Sequence, residues 1–179
     1  DYDHHNHKHM TPIEPLRVSI IQAPLEWADK PKNLAYFTHE LEVLNGTPDL
    51  IILPEMFATG FVMNPAEISE PMNGVIMQWM ANNAAKYDCV IAGSIAIEEE
   101  GKYFNRLIWM KADGTFVTTD KRHLFRMGNE HQLFSAGDKP LVVELNGWRI
   151  RPLICYDLRF PVWSKNRIID GKYEYDLMF

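Results

Sequence analysis

The chain has 179 residues, 46% hydrophobic and 23% charged, with 24 acidic against 18 basic side chains and a net charge of −6. That length supports one real core. The acidic balance argues against nucleic acid, which needs clustered positive charge, and no apolar stretch approaches membrane-spanning length. Two cysteines, Cys89 and Cys155, do not make a secreted disulfide framework, so composition points to a soluble, cytoplasmic domain with reduced thiols.

Residues 1–9, "DYDHHNHKH", have no apolar anchor and read as a His-rich expression tag, leaving residues 10–179 as one domain. "LRVSIIQ" (16–22) predicts a first strand, closed by Ala23-Pro24. Leu34, Phe37, Leu41 and Leu44 fall on one face of a helix, with Gly46 as its C-terminal stop. "DLIILPE" (49–55) is almost wholly apolar, as a strand buried on both faces requires. Ile76, Trp79, Met80, Ala84 and Tyr87 mark a second helix, and "CVIAGSIA" (89–96) a third strand. Two strand pairs follow, turning at Asp113-Gly114 and at Asn146-Gly147, and Asp170-Gly171 suggests a further turn. A β-α-β-α-β opening that runs into hairpins implies an α/β fold, a mixed sheet with helices outside it. "YDLMF" (175–179) reads as the start of another buried strand, so the sequence is expected to be incomplete at this end.

Ligands of open parallel sheets sit beyond the carboxyl ends of the strands. Glu55 follows "LIILP", Lys121 follows "TFVTTD" and Cys155 ends "RPLIC". Taken singly, each has an ordinary reading: a solvated glutamate, a surface lysine, a buried thiol. Taken together, a base, a cation and a thiol suit acyl transfer from an amide or nitrile to water. Glu55 would take the thiol proton, and Lys121 with the backbone N–H of Tyr156 would stabilise the oxyanion. Cys89, whose polar neighbour is Asp88, reads as core.

"ILPEMFATGF", "DKRHLF" and "LICYDLRFP", in that order and spacing, resemble the Glu, Lys and Cys blocks of the nitrilase (carbon–nitrogen hydrolase) superfamily. The resemblance runs from Leu16 to the end and implies an α-β-β-α sandwich, truncated here at its C-terminus, with no metal or organic cofactor. It implies Glu55 as general base, Lys121 as oxyanion-stabilising cation and Cys155 as nucleophile, with Glu130 as a supporting second glutamate. "PEMFATGF", "KRHLFRMGNEHQLFSAGD" and "CYDLRFPVWSKN" are most similar to the omega-amidase branch, which implies a small-molecule substrate, the ω-amide of a 2-oxo dicarboxylic acid. Such a substrate carries a carboxylate. Arg159 is a candidate to bind it, as are Arg122 and Arg126, while an ion pair with Asp157 competes for Arg159. Phe61, Tyr156, Phe160 and Trp163 are candidate pocket walls or simply core. The resemblance also implies a homodimer joined near "RFPVWSKNRII".

Rival readings fare less well. A papain-type Cys-His site with His123 or His131 leaves Lys121 without a role, and a cysteine phosphatase would need arginine where Pro161 stands. Another amidase of the superfamily, acting on a carbamoyl or simple amide, stays open, as does a non-catalytic module on the same fold.

Overall fold

The computed structural model describes residues 15–62, 64–124, 133–154, 168–169, 172–173 and 175–179. Strand β1 (Val18–Ile20) leads through helix α1 (Lys30–Glu42) to β2 (Leu50–Ile52), then through helix α2 (Val75–Tyr87) to β3 (Val90–Glu99). The strands β4 (Lys102–Met110), β5 (Phe116–Asp120), β6 (Val143–Leu145) and β7 (Trp148–Arg151) follow. Short strands β8 (Ile168–Ile169), β9 (Lys172–Tyr173) and β10 (Leu177–Met178) close the chain.

One sheet has the order β1-β2-β3-β4-β5, its first three strands parallel and the rest antiparallel. Parallel neighbours need crossovers, and successive right-handed crossovers in one direction put both helices on one face. Accordingly Phe37 and Leu41 of α1 share a buried cluster with Ile76, Met77, Met80 and Ala84 of α2 and with Ile51, Ile91, Ile95 and Ile108 of the sheet. The alternate residues of the same strands, Leu50, Val90, Ala92, Leu107 and Trp109, pack instead on Val143, Ile150 and Ile154. Those come from a second sheet, β10-β7-β6, and the segment just after it. Both faces of β2 and β3 are therefore covered, which is why they read as nearly continuous apolar runs. The layers described are helices, sheet and sheet.

The predicted hairpins form. β4 and β5 pair across Asp113-Gly114, and β6 pairs with β7 across Asn146 (φ 51) and Gly147 (φ 81). Two successive positive φ angles give the turn whose twist matches the strands it joins. An unforeseen third hairpin joins β3 to β4 through Glu100 and Gly101, also both at positive φ. β8 and β9 pair across positions 170 and 171.

Two expectations need adjusting. Helix α1 stops at Glu42, where the Val43 N–H reaches the His39 and Leu41 carbonyls, so Gly46 turns the loop beyond and does not cap the helix. The last strand is only half covered. Leu177 and Met178 pair parallel to β7 and Phe179 stacks on Trp109, while Met178 is exposed. Among the described residues no helix is long and apolar enough to cross a membrane.

Candidate active site

Glu55 sits where β2 ends and the chain folds into a turn. The Leu53 N–H still bonds to the Ala92 carbonyl of β3, after which Pro54 ends the ladder. Met56 is fully buried at φ 55, a left-handed conformation that costs a branched-Cβ-free residue about 1–2 kcal/mol. Three bonds hold it there. Its N–H donates to Ser94 Oγ at 3.0 Å, and its carbonyl accepts from the Thr59 and Gly60 N–H groups. Helix α1 braces the same turn, since buried Asn33 donates to the Ala58 carbonyl at 2.9 Å. The glutamate is thereby fixed at its backbone.

Lys121 lies immediately after β5 and is 2% exposed. Its ammonium donates to Glu55 Oε1 at 2.9 Å, and Asn105 Nδ2 donates to the same oxygen at 2.8 Å. The ammonium also stands 5.6 Å above the Phe61 ring, which is set edge-on to Phe134. A cation over an aromatic face in a dry setting is stabilised by the ring quadrupole. The backbone of Lys121 is tied on both sides, its N–H to the Asn105 carbonyl (2.9 Å) and its carbonyl to the Gly137 N–H (3.0 Å).

The expected partnership of Glu55 and Lys121 is thus observed across 66 residues of sequence. Phe61, a candidate pocket wall in the sequence, meets the lysine itself. Arg122 is engaged elsewhere, its Nη1 donating to the Gly137 carbonyl at 3.0 Å, where it supports the loop that runs beside Lys121. Cys155, Tyr156 and Arg159 lie outside the described residues, as do Glu130, Arg126, Phe160 and Trp163. The described stretch 133–154 stops one residue short of Cys155, at Ile154, which is 3% exposed and packed between the sheets. The sequence reading missed Asn105 and Ser94. Their signal was polarity at positions that strand alternation assigns to the buried inter-sheet face.

Cys89 is buried at 4% exposure, and burial, with Asp88 and Asp49 adding to it, pushes its thiol up to about 11. It is a core thiol, as expected. It borders a cleft of about 460 Å³ at the other end of the strands, where Asp49, Asp88, Asp113 and Glu144 outnumber Lys111. Such a wall repels an anion. Among the described residues no three His, Cys, Asp or Glu side chains are grouped to hold a metal ion.

A model of the carbon–nitrogen hydrolase family matches residues 17–164. The chain is 46% identical over 151 residues to the omega-amidase YafV of Escherichia coli K12, covering 84% of this chain and 58% of that protein. It is 27% identical to the 2-oxoglutaramate amidase of Bacillus subtilis 168, covering 86% of this chain and 61% of the relative. The crystal structure of XC1258 from Xanthomonas campestris, a CN-hydrolase superfamily protein with an arsenic adduct in its active site, superposes with a TM-score of 0.86. It is 43% identical and covers 91% of this chain and 63% of that one. The chain thus spans about three-fifths of the length of these relatives.

Proposed function

The chain belongs to the carbon–nitrogen hydrolase family, and on that premise we propose that it hydrolyses the ω-amide of a small 2-oxo dicarboxylic acid through an acyl-enzyme on Cys155. The observation that carries this reading is the buried bond from Lys121 to Glu55, which joins two strand ends into one charged pair. The similarity to an omega-amidase and to a 2-oxoglutaramate amidase supports the substrate class.

The chemistry balances as follows. Glu55 accepts the Cys155 thiol proton, and the thiolate attacks the amide carbon. Lys121 and the Tyr156 N–H stabilise the resulting oxyanion. Collapse breaks the C–N bond while Glu55 returns its proton to nitrogen, so ammonia leaves and a thioester stays. Glu55 then takes a proton from water, whose oxygen attacks the thioester. The C–S bond then breaks, the acid departs, and Glu55 passes that proton to the thiolate, restoring both thiol and carboxylate. Glu130 positions Lys121 and substrate, Phe61 walls the pocket, and Arg159 pairs with the substrate carboxylate. The same reading places the enzyme in the cytoplasm as a homodimer.

Ammonia release from 2-oxoglutaramate, 2-oxosuccinamate, glutamine, asparagine and a simple nitrile tests the proposal. The 2-oxo acid amides are expected to react fastest, and Cys155→Ala to abolish turnover with the fold intact. Full turnover by Cys155→Ala sinks the mechanism, whereas a preference for simple amides sinks only the substrate.

A further inference from the structure

Asn105 is wholly buried in the middle of β4, where a strand ordinarily carries an apolar or β-branched side chain. A buried amide needs partners for both ends, yet among the described residues its Oδ1 is buried without one. The orientation of the amide follows from its neighbour: Nδ2 faces Glu55 Oε1 at 2.8 Å, and the flipped amide would set a carbonyl oxygen against a carboxylate. A site that leaves one end of an amide unsatisfied in order to aim the other is organised around what the other end does.

Asn105 touches both members of the charged pair. Its side chain holds Glu55, and its backbone carbonyl accepts the Lys121 N–H. Among the described residues both hydrogen bonds to the Glu55 carboxylate fall on Oε1 and none on Oε2. We infer that Asn105 is a positioning residue, one that fixes the rotation of the Glu55 carboxylate so that Oε2 is the oxygen exchanging protons with thiol, amine and water. This rests on the acyl-transfer role proposed above for Glu55.

The reason for a neutral donor lies in the proton cycle. When Glu55 holds the thiol proton on Oε2, its negative charge is gone and its attraction for the Lys121 ammonium drops. An amide N–H still donates to the carbonyl-like Oε1 in that state. Asn105 therefore keeps Glu55 in place while Lys121 turns its hydrogen bonding toward the oxyanion. Lysine alone would have to serve both oxygens at once.

Two variants test this in the full chain, with Glu55→Gln as reference: Asn105→Leu, close in shape without a donor, and Asn105→Asp, close in shape with like charge facing Glu55. Both are expected to lower kcat for ammonia release by ~10- to 100-fold with KM within about twofold, while the thermal midpoint of at least one stays near wild type. Mass spectrometry of quenched reactions is expected to show slower acylation of Cys155. A folded variant with wild-type kcat beside an inactive Glu55→Gln overturns the inference and spares the acyl-transfer reading. Loss confined to KM, or unfolding of both variants, makes Asn105 scaffold and also overturns it. An active Glu55→Gln overturns the underlying reading first.

Discussion

Replacing Lys121 by methionine is the sharpest probe of the charged pair, because it is read in stability as well as turnover. Lys121 is 2% exposed, and its ammonium lies 2.9 Å from Glu55 Oε1. Removing one partner of a buried pair costs about 3–5 kcal/mol, chiefly because the other charge is left desolvated. Here the remaining carboxylate keeps its bond from Asn105 and its side chain is 21% exposed. The expected loss is accordingly smaller, about 2–3 kcal/mol, or roughly 4–12 °C in thermal midpoint for a chain of this size. The double variant Lys121→Met/Glu55→Gln no longer strands the Glu55 charge, so it should regain part of the loss, with a coupling of about 1–3 kcal/mol. Thermal melts of wild type, both single variants and the double variant close the cycle, with ammonia release measured in parallel. All three variants should lose turnover. A Lys121→Met protein within about 0.5 kcal/mol of wild type, or strictly additive changes, would refute the claim that these charges depend on each other.

Two more expectations follow from neighbouring features. With its thiol pushed up to about 11, Cys89 carries only about one thiolate in 10⁴ molecules at pH 7, so alkylation of the folded protein there should modify Cys155 and spare Cys89. The same shift favours the protonated folded state. Its stabilisation is complete below pH 9.0, the thiol's ordinary value, and is lost as pH rises toward 11; the loss amounts to about 2–3 kcal/mol, and Cys89→Ser should flatten that part of the pH–stability curve. At Gly137 a Cβ would collide with the Asp120 carbonyl oxygen and lie 2.8 Å from the Asp120 Cβ, so Gly137→Ala must displace the loop bonded to Lys121. A destabilisation of about 1–3 kcal/mol with a fall in kcat is expected on melting and assay; an unchanged kcat would show that this loop does not position the lysine.

Part of the candidate site was legible because polar side chains at strand ends stand out against the apolar runs beside them. Glu55 stood out in this way, Lys121 through its place just after a predicted strand, and Cys89 was read correctly with Asp88 as its one polar neighbour in the sequence. Strand order was not legible. β2 and β5 are separated by β3 and β4, and nothing in the local sequence says that the glutamate of one meets the lysine of the other. The intervening strands bridge that gap. Ser94 of β3 takes the Met56 N–H, and Asn105 of β4 takes both Glu55 and Lys121. Both were overlooked because a serine or asparagine inside "IAGSIA" or "YFNRL" reads as one polar letter in an apolar run. The stop of α1 was misplaced for a related reason: Gly46 carries positive φ, but carbonyls already satisfied at Val43 end the helix earlier.

The register of β4 against β5 ties these pieces together. Arg106 lies opposite Asp120 in the ladder and grips it with two bonds, Nε to Oδ1 at 2.6 Å and Nη2 to Oδ2 at 3.0 Å, while also reaching Glu99. Both carboxylates raise the affinity of the guanidinium for its proton, so the clamp stays charged throughout the working pH range. Side chains alternate along a strand, which puts Asn105 and Lys121, the next residues on each strand, on the opposite face. A slip of one residue would carry Lys121 away from Glu55 and send it to the wrong side of the sheet. The same slip would break a bidentate pair whose arginine is 7% exposed, leaving buried charge uncompensated. An ion pair with no part in the chemistry thus sets the register on one face that the glutamate and lysine need on the other.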